Sequence, residues 1–232
     1  YVWQLITGIE SSSWSVNTAA APGAMAVSPD NSTLWACVPS NSTLVKMTIG
    51  GRPQWKLGVA VPRPNGVTVW PTTAGSPISL PAVPSFVSAS PNGTYVAVGN
   101  GAAGTVTFIT ASTSTIVATS ANVTGSSGTI TGMGWLSDSS GVLVTANNGD
   151  VYAIAESTRT ISLIASSGGG TLGAVVPSSG NNYWIIDVSA AEALTLVMSS
   201  DTAGSFTGGI VLAHTPTCAA PAGTGMWVGM AN

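Results

Sequence analysis

Charge is what this sequence has least of. Five Lys and Arg stand against eight Asp and Glu in 232 residues, so only 6% of the chain is charged, where soluble domains run at roughly 25%. Five scattered cations cannot form the basic stripe that neutralises phosphates, which excludes a nucleic-acid partner. A disordered chain needs high net charge and few apolar residues; here the net charge is -3 and 44% of the residues are hydrophobic. No run approaches the ~18 consecutive apolar residues of a membrane-crossing helix, so no membrane span is expected. Long helical periodicity is missing too. No cofactor or metal is expected.

Glycine is abundant, at 28 residues, and Ser and Thr recur throughout. A surface so poor in charge needs another source of solubility. Four Asn-x-Ser/Thr sequons, at Asn31, Asn41, Asn92 and Asn122, are candidate glycosylation sites that would hydrate their loops if used. Cys37 and Cys218 suit a secreted protein with one bridge, although two buried thiols would look the same. The chain starts at Tyr1 with a strand-like run and no signal-peptide core, so an extracellular protein whose leader has been removed is expected.

Short β-branched runs alternate apolar and polar residues between Gly, Pro, Asn and Ser turns, the all-β pattern. They also repeat. Ala24–Pro29, Leu34–Val38 and Leu44–Ile49 correspond to Phe86–Pro91, Tyr95–Val98 and Thr105–Ile109, the latter followed by Thr115–Thr119. Further copies run from Gly132 to Ile164 and from Gly173 to Leu212. Each is a unit of four short strands that buries its faces only against neighbours, which predicts propeller blades. Equivalent turns at 29, 91, 137, 177 and 221 lie 62, 46, 40 and 44 residues apart, with 40 more through the joined termini. That spacing is near the ~40–50 residues of a blade. The expected architecture is a single five-bladed β-propeller over 1–232, all-β, with four-stranded blades. One blade, built from both chain ends, would close the ring. The long first interval predicts an ordered insertion loop over 62–84, a stretch with six prolines and Trp70.

Ser28-Pro29-Asp30-Asn31, Ser90-Pro91-Asn92-Gly93 and Tyr95-Val96-Ala97-Val98-Gly99-Asn100 resemble the repeat of YVTN-type β-propellers. The resemblance covers about three of the five blades and implies the fold. That group spans lactonase-like hydrolases, surface-layer proteins and plain binding domains. The Asp that usually ends its third strand is replaced here by Thr110 and Ala155, and no catalytic motif of the lactonases matches residue by residue.

The only histidine, His214, could serve a hydrolase as base, but no Gly-x-Ser-x-Gly elbow marks a nucleophile. A strand-end histidine bonded to backbone is expected instead. Asn147, Asn148 and Asp150 form the densest polar cluster and, with Asn100 and Trp70, are the candidate ligand-binding residues. The Asn-Asn-Gly-Asp spacing is also that of a tight hairpin turn. Asp30 and Asp138 fall where a short carboxylate caps backbone amides. Trp3, Trp35, Trp135, Trp184 and Trp227 are expected to fill space between sheets, with Trp14, Trp55 and Trp70 nearer the edges. A Cys37–Cys218 bridge would lock the ring seam. The function expected is a non-enzymatic extracellular module presenting loops to a glycan or protein partner, or to copies of itself. The alternative is a lactonase-like hydrolase or lyase with an axial pocket.

Overall fold

The computed structural model describes residues 2–3, 15–16, 18, 20–48, 72–73, 75–123, 128–222 and 225–231. Strands β1 (Val2–Trp3) and β2 (Ser15–Val16) pair with each other. The first blade holds β3 (Met25–Val27), β4 (Thr33–Val38) and β5 (Thr43–Thr48). Its fourth position is split between β6 (Thr72–Thr73) and β7 (Ile78–Ser79), which pair with opposite ends of β5. The second blade is β8 (Phe86–Ala89), β9 (Tyr95–Asn100), β10 (Thr105–Thr110) and β11 (Thr115–Thr119). The third is β12 (Ile130–Trp135), β13 (Gly141–Ala146), β14 (Asp150–Ala155) and β15 (Ile161–Ser166). The fourth is β16 (Leu172–Pro177), β17 (Asn182–Asp187), β18 (Glu192–Ser200) and β19 (Ala203–Val211). Strands β20 (Pro216–Ala222) and β21 (Gly225–Met230) form the last hairpin. Every sheet is antiparallel, and the innermost strands β3, β8, β12, β16 and β20 lie side by side in that order. The protein is a β-propeller.

The middle strands are buried on both faces, so apolar residues run through them almost without interruption, as in Val142-Leu143-Val144 and Val96-Ala97-Val98. Alternate side chains serve alternate neighbours. Trp35, Cys37 and Leu44 of the first blade pack against Val96, Val98 and Ile109 of the second. Ala97, Val106 and Phe108 of the second meet Trp135 and Val142 of the third. Leu143, Val151 and Ala153 of the third meet Leu172, Val175 and Tyr183 of the fourth. Near the axis the blades approach backbone to backbone: a Cβ on Gly132 would collide with the Gly173 carbonyl, and Thr145 Oγ1 donates to that same oxygen at 2.6 Å.

The strands near the chain ends form two separate two-stranded sheets, β1–β2 and β20–β21, with no strand pairing between them among the described residues, so the expected closing blade is not joined there. On the outer flank of the first blade, Ala36, Val38, Val45 and Met47 are buried with Ala20 and Leu34 packed on them. Met25 and Val27 of β3 stay about half exposed on that side. Trp227, expected between sheets, is instead 75% exposed, because β21 belongs to this terminal hairpin rather than to a sheet enclosed on both faces. Trp35 and Trp135 fill inter-sheet space as expected. The side chain of Trp3, along with Trp14, Trp55 and Trp70, lies outside the described residues. So does much of the expected 62–84 insertion; its later part forms β6, β7 and the crossover to the second blade.

Because Gly132 faces backbone that cannot rotate away, Gly132→Ala is expected to destabilise the fold by about 1–3 kcal/mol or more. Gly208→Ala, on β19 with nothing within 4 Å of the added methyl, is expected to change stability by under about 0.5 kcal/mol. Urea denaturation of the two variants checks the contrast.

Candidate functional site

In an antiparallel blade the turns after the first and third strands fall on one face, and those after the second and fourth fall on the other. The first face is built by a turn that recurs with the same bonds in three blades. The N–H groups of Ser28, Ser90 and Leu136 donate to the carbonyls of Thr33, Tyr95 and Gly141 at 2.8, 2.9 and 2.8 Å. One residue in each turn must adopt positive φ: Asn31 at 58°, Gly93 at 72° and Ser139 at 69°. A short side chain just before it caps the loop, with Asp30, Asn92 and Asp138 oxygens accepting the N–H of Ser32, Thr94 and Ser140 at 3.0, 3.0 and 2.9 Å. Small polar residues are required here because only they reach back to the backbone two residues on.

The turns after the third strands are equivalent as well. Ser114 and Arg159 occupy the same left-handed position, at φ 59° and 61°. Their N–H groups bond back to Thr110 and Ala155 at 2.8 and 2.9 Å. These two turns face the junctions of the first with the second blade and of the second with the third, and the two niches differ. Between the second and third blades, the Arg159 guanidinium lies 4.2 Å over the Phe108 ring, and its two terminal nitrogens reach Glu156 at 3.3 and 3.4 Å. Phe108 meets Trp135 edge to face. That niche is plugged.

Between the first and second blades no described residue plugs it. Lys46 stands on β5 where Phe108 stands on β10, Ser114 replaces Arg159, and Ala111 replaces Glu156. A shallow cleft of about 350 Å³ remains, at the small end of the range for ligand pockets. It is lined by the Ser28–Thr33 turn, Trp35, Lys46, Asn92, Gly93, Ala111 and Ser112. The Lys46 ammonium donates to the Ala111 carbonyl at 2.7 Å across the junction and sits 5.2 Å from the buried Trp35 ring, within cation–π range. It makes no ion pair among the described residues. At the rim, Ser28 Oγ, Ser32 N–H and Ser32 Oγ donate to Asp30 at 2.5, 3.0 and 2.7 Å. These bonds, led by the Ser28 hydroxyl, hold its carboxyl down to about 2. The Ser140 N–H lowers Asp138 in the same way.

The residues singled out from sequence do not converge here. Asn147, Asn148 and Asp150 lie on the second face, in a hairpin turn with bonds of its own: Asn147 accepts from Thr129 N–H, Asn148 donates to Asp150, and Tyr152 donates to Asp150. Among the described residues no cluster of acids, His or Cys suits a metal. Asn100 is fully buried at the end of β9, donating to Thr105 and Thr107 hydroxyls at 3.0 and 3.1 Å, with its Oδ1 unpartnered among the described residues. Trp70 lies outside the described residues.

The sequon residues Asn31, Asn41, Asn92 and Asn122 are all exposed; Asn92 lines the cleft, so a glycan there would compete with a ligand. His214 is exposed on the β19–β20 connection, with no side-chain hydrogen bond among the described residues, against the backbone-bonded histidine expected. The Cys37–Cys218 bridge is absent: both thiols are free. The reason is side-chain parity. Cys37 shares a side with Trp35 and faces the second blade, its Sγ 3.8 Å from the Phe86 carbonyl, whereas Cys218 is exposed on β20. Lys46 and Arg159 were not anticipated. The available signal was a lysine at an inward position of β5, in register with Leu44, in a chain with five cations.

No family model matches the chain, and no curated protein matches it in sequence. Solved structures do match in shape. A functionally unknown protein from Desulfotomaculum acetoxidans superposes with a TM-score of 0.73 at 11% identity, covering 93% of this chain and 64% of that one. Virginiamycin B lyase from Staphylococcus aureus, in a catalytically inactive histidine-to-alanine form with quinupristin, gives 0.68 at 14% identity, covering 94% and 66%. A streptogramin B lyase gives 0.68 at 12%, covering 89% and 61%. The chain thus spans under two thirds of the length of each. Likeness at this identity establishes a shared propeller architecture.

Two measurements check the local chemistry. Burial pushes the Cys37 thiol up to about 12, so a thiol reagent at neutral pH is expected to label Cys218 alone, with Cys37 reacting only after unfolding. The depressed Asp30 carboxyl stabilises the folded state above the unfolded carboxyl range near pH ~4, and that contribution is lost as pH falls toward 2. The stability difference between wild type and Asp30→Ala should therefore shrink over that acid interval, followed by thermal melting.

Proposed function

We propose that this chain is a non-enzymatic, extracellular binding module that holds a glycan, free or carried on a protein, at the junction of its first two blades. The observation that carries the reading is the difference between the two niches. One is closed by Arg159, Glu156 and Phe108, while its counterpart is open among the described residues and lined by hydroxyls, an amide, an ammonium and a carboxylate. Hydroxyl-rich ligands are recognised by such short polar groups on rigid elements. The likeness to YVTN-type repeats, a group rich in plain binding domains, points the same way. Exposed sequons and sparse charge fit a protein of the cell exterior, with no nucleic-acid partner.

A lyase acting on a cyclic depsipeptide or lactone is the second reading, favoured by the names of the structural neighbours. Against it, His214 lies on the opposite face from the cleft. The two acids held below the ordinary range, Asp30 and Asp138, are shifted away from what a general acid needs. Screening against a glycan array and against quinupristin and simple lactones separates the readings. Saturable glycan binding with no turnover is the expected result; ring opening of quinupristin would replace the binding reading with the lyase.

A further inference from the structure

We infer that the cleft between the first and second blades selects a carboxylated sugar, a hexuronate residue, through the ammonium of Lys46, which has no ion-pair partner among the described residues. This rests on the binding reading above and names its ligand. Comparison of the two niches supplies the argument. Each places one cation beside an aromatic ring at the blade junction: Arg159 over Phe108 at 4.2 Å, and Lys46 beside Trp35 at 5.2 Å. The protein neutralises Arg159 with Glu156 from the same turn. The position equivalent to Glu156 in the open niche is Ala111, which offers Lys46 only its backbone carbonyl.

An ammonium has three donors, and a partly buried charge is stable only when paired or hydrogen-bonded. Of the three donors, one is used among the described residues. Asp30 does not take up the others. It forms no ion pair with Lys46, and its oxygens accept from Ser28 and Ser32. The counterion that Glu156 supplies next door is thus left for a ligand to bring. The rest of the lining sets what else that ligand carries. Ser32, Thr33, Ser112 and Asn92 present short hydroxyl and amide groups, which exchange hydrogen bonds with ring hydroxyls. The Asp30 carboxylate accepts hydroxyls and repels anions, which confines the ligand's carboxylate to the Lys46 end of the cleft. Trp35 is 1% exposed, so it supports Lys46 from below and offers no stacking face. One carboxylate on a polyhydroxylated ring matches this set.

The test is calorimetric titration of the whole chain with digalacturonate, its methyl ester, and a neutral disaccharide. Three variants accompany wild type. Lys46→Met keeps the stem on Trp35 and removes the charge. Lys46→Arg keeps the charge. Ser114→Arg with Ala111→Glu rebuilds the plug, at a position whose left-handed backbone Arg159 already adopts. Thermal melts confirm that each folds. The expected result is binding of digalacturonate alone, weakened about 10-fold or more in Lys46→Met, as loss of a charge-assisted bond requires. Binding is retained in Lys46→Arg, abolished in the plugged variant, and weakened by added salt. Equal binding of the methyl ester, or unchanged digalacturonate binding in Lys46→Met, overturns the acid selectivity. The binding reading still stands in that case if the plugged variant loses the sugar. Binding that survives the plug moves the site elsewhere and overturns both. So does the absence of binding by any of the three sugars.

Discussion

A β-sheet that is apolar on both faces has no stable place except between two others, and this constraint shapes the molecule. The second strands of the blades carry runs such as Val96-Ala97-Val98 and Val142-Leu143-Val144, buried to the last atom. Their odd and even side chains belong to different junctions. Burial at about 25 cal/mol per Å² of apolar surface supplies the driving force, but it is available only when each sheet is flanked. Glycines such as Gly132 let the sheets approach until backbone meets backbone. The scarcity of charge follows directly, because few positions on such strands ever meet solvent. The polar work passes to the turns, where Ser, Thr, Asn and Asp close loops with their own side chains.

Against this background the junctions become comparable, position by position. The second and third blades close their niche with an aromatic ring, a stacked guanidinium and its carboxylate partner. The first and second blades exchange bulk: Trp35 occupies the strand position of Ala97, and Lys46 that of Phe108. The repeat gives both junctions one backbone frame, so the open cleft comes from a few side chains placed on unchanged turns. A function grafted on a propeller in this way leaves little trace in the repeat itself.

The blades were legible because strand alternation and turn chemistry are local. The Ser-Pro-Asp turn at Ser28 and the Ser-Pro-Asn turn at Ser90 lie where the repeat places them, and both share one hydrogen-bond pattern with the Leu136-Ser137-Asp138 turn. Beyond the local scale the reading failed in specific ways. Blade order alone makes Cys37 and Cys218 neighbours, but the side of β4 on which Cys37 projects decides its partner, and that side faces the second blade. Asn100 reads as a turn residue in sequence, yet the ladder carries it to the buried end of β9. Lys46 carries no signal of a site in sequence, because a lone lysine in an alternating strand reads as a solvated face. Its partner, the Ala111 carbonyl, is 65 residues away across a junction. Trp227 looked like core because its segment repeats core-forming strands, while its exposure depends on what flanks the last hairpin.

Backbone amide mapping by NMR, with digalacturonate titrated into the folded chain, tests the central claim most directly. Perturbations are expected at three turns only: Ser28–Thr33, Asn92–Gly93 and Ala111–Ser112. Shifts centred on the Asn147–Asp150 hairpin of the second face, or no saturable shift at all, would contradict the account.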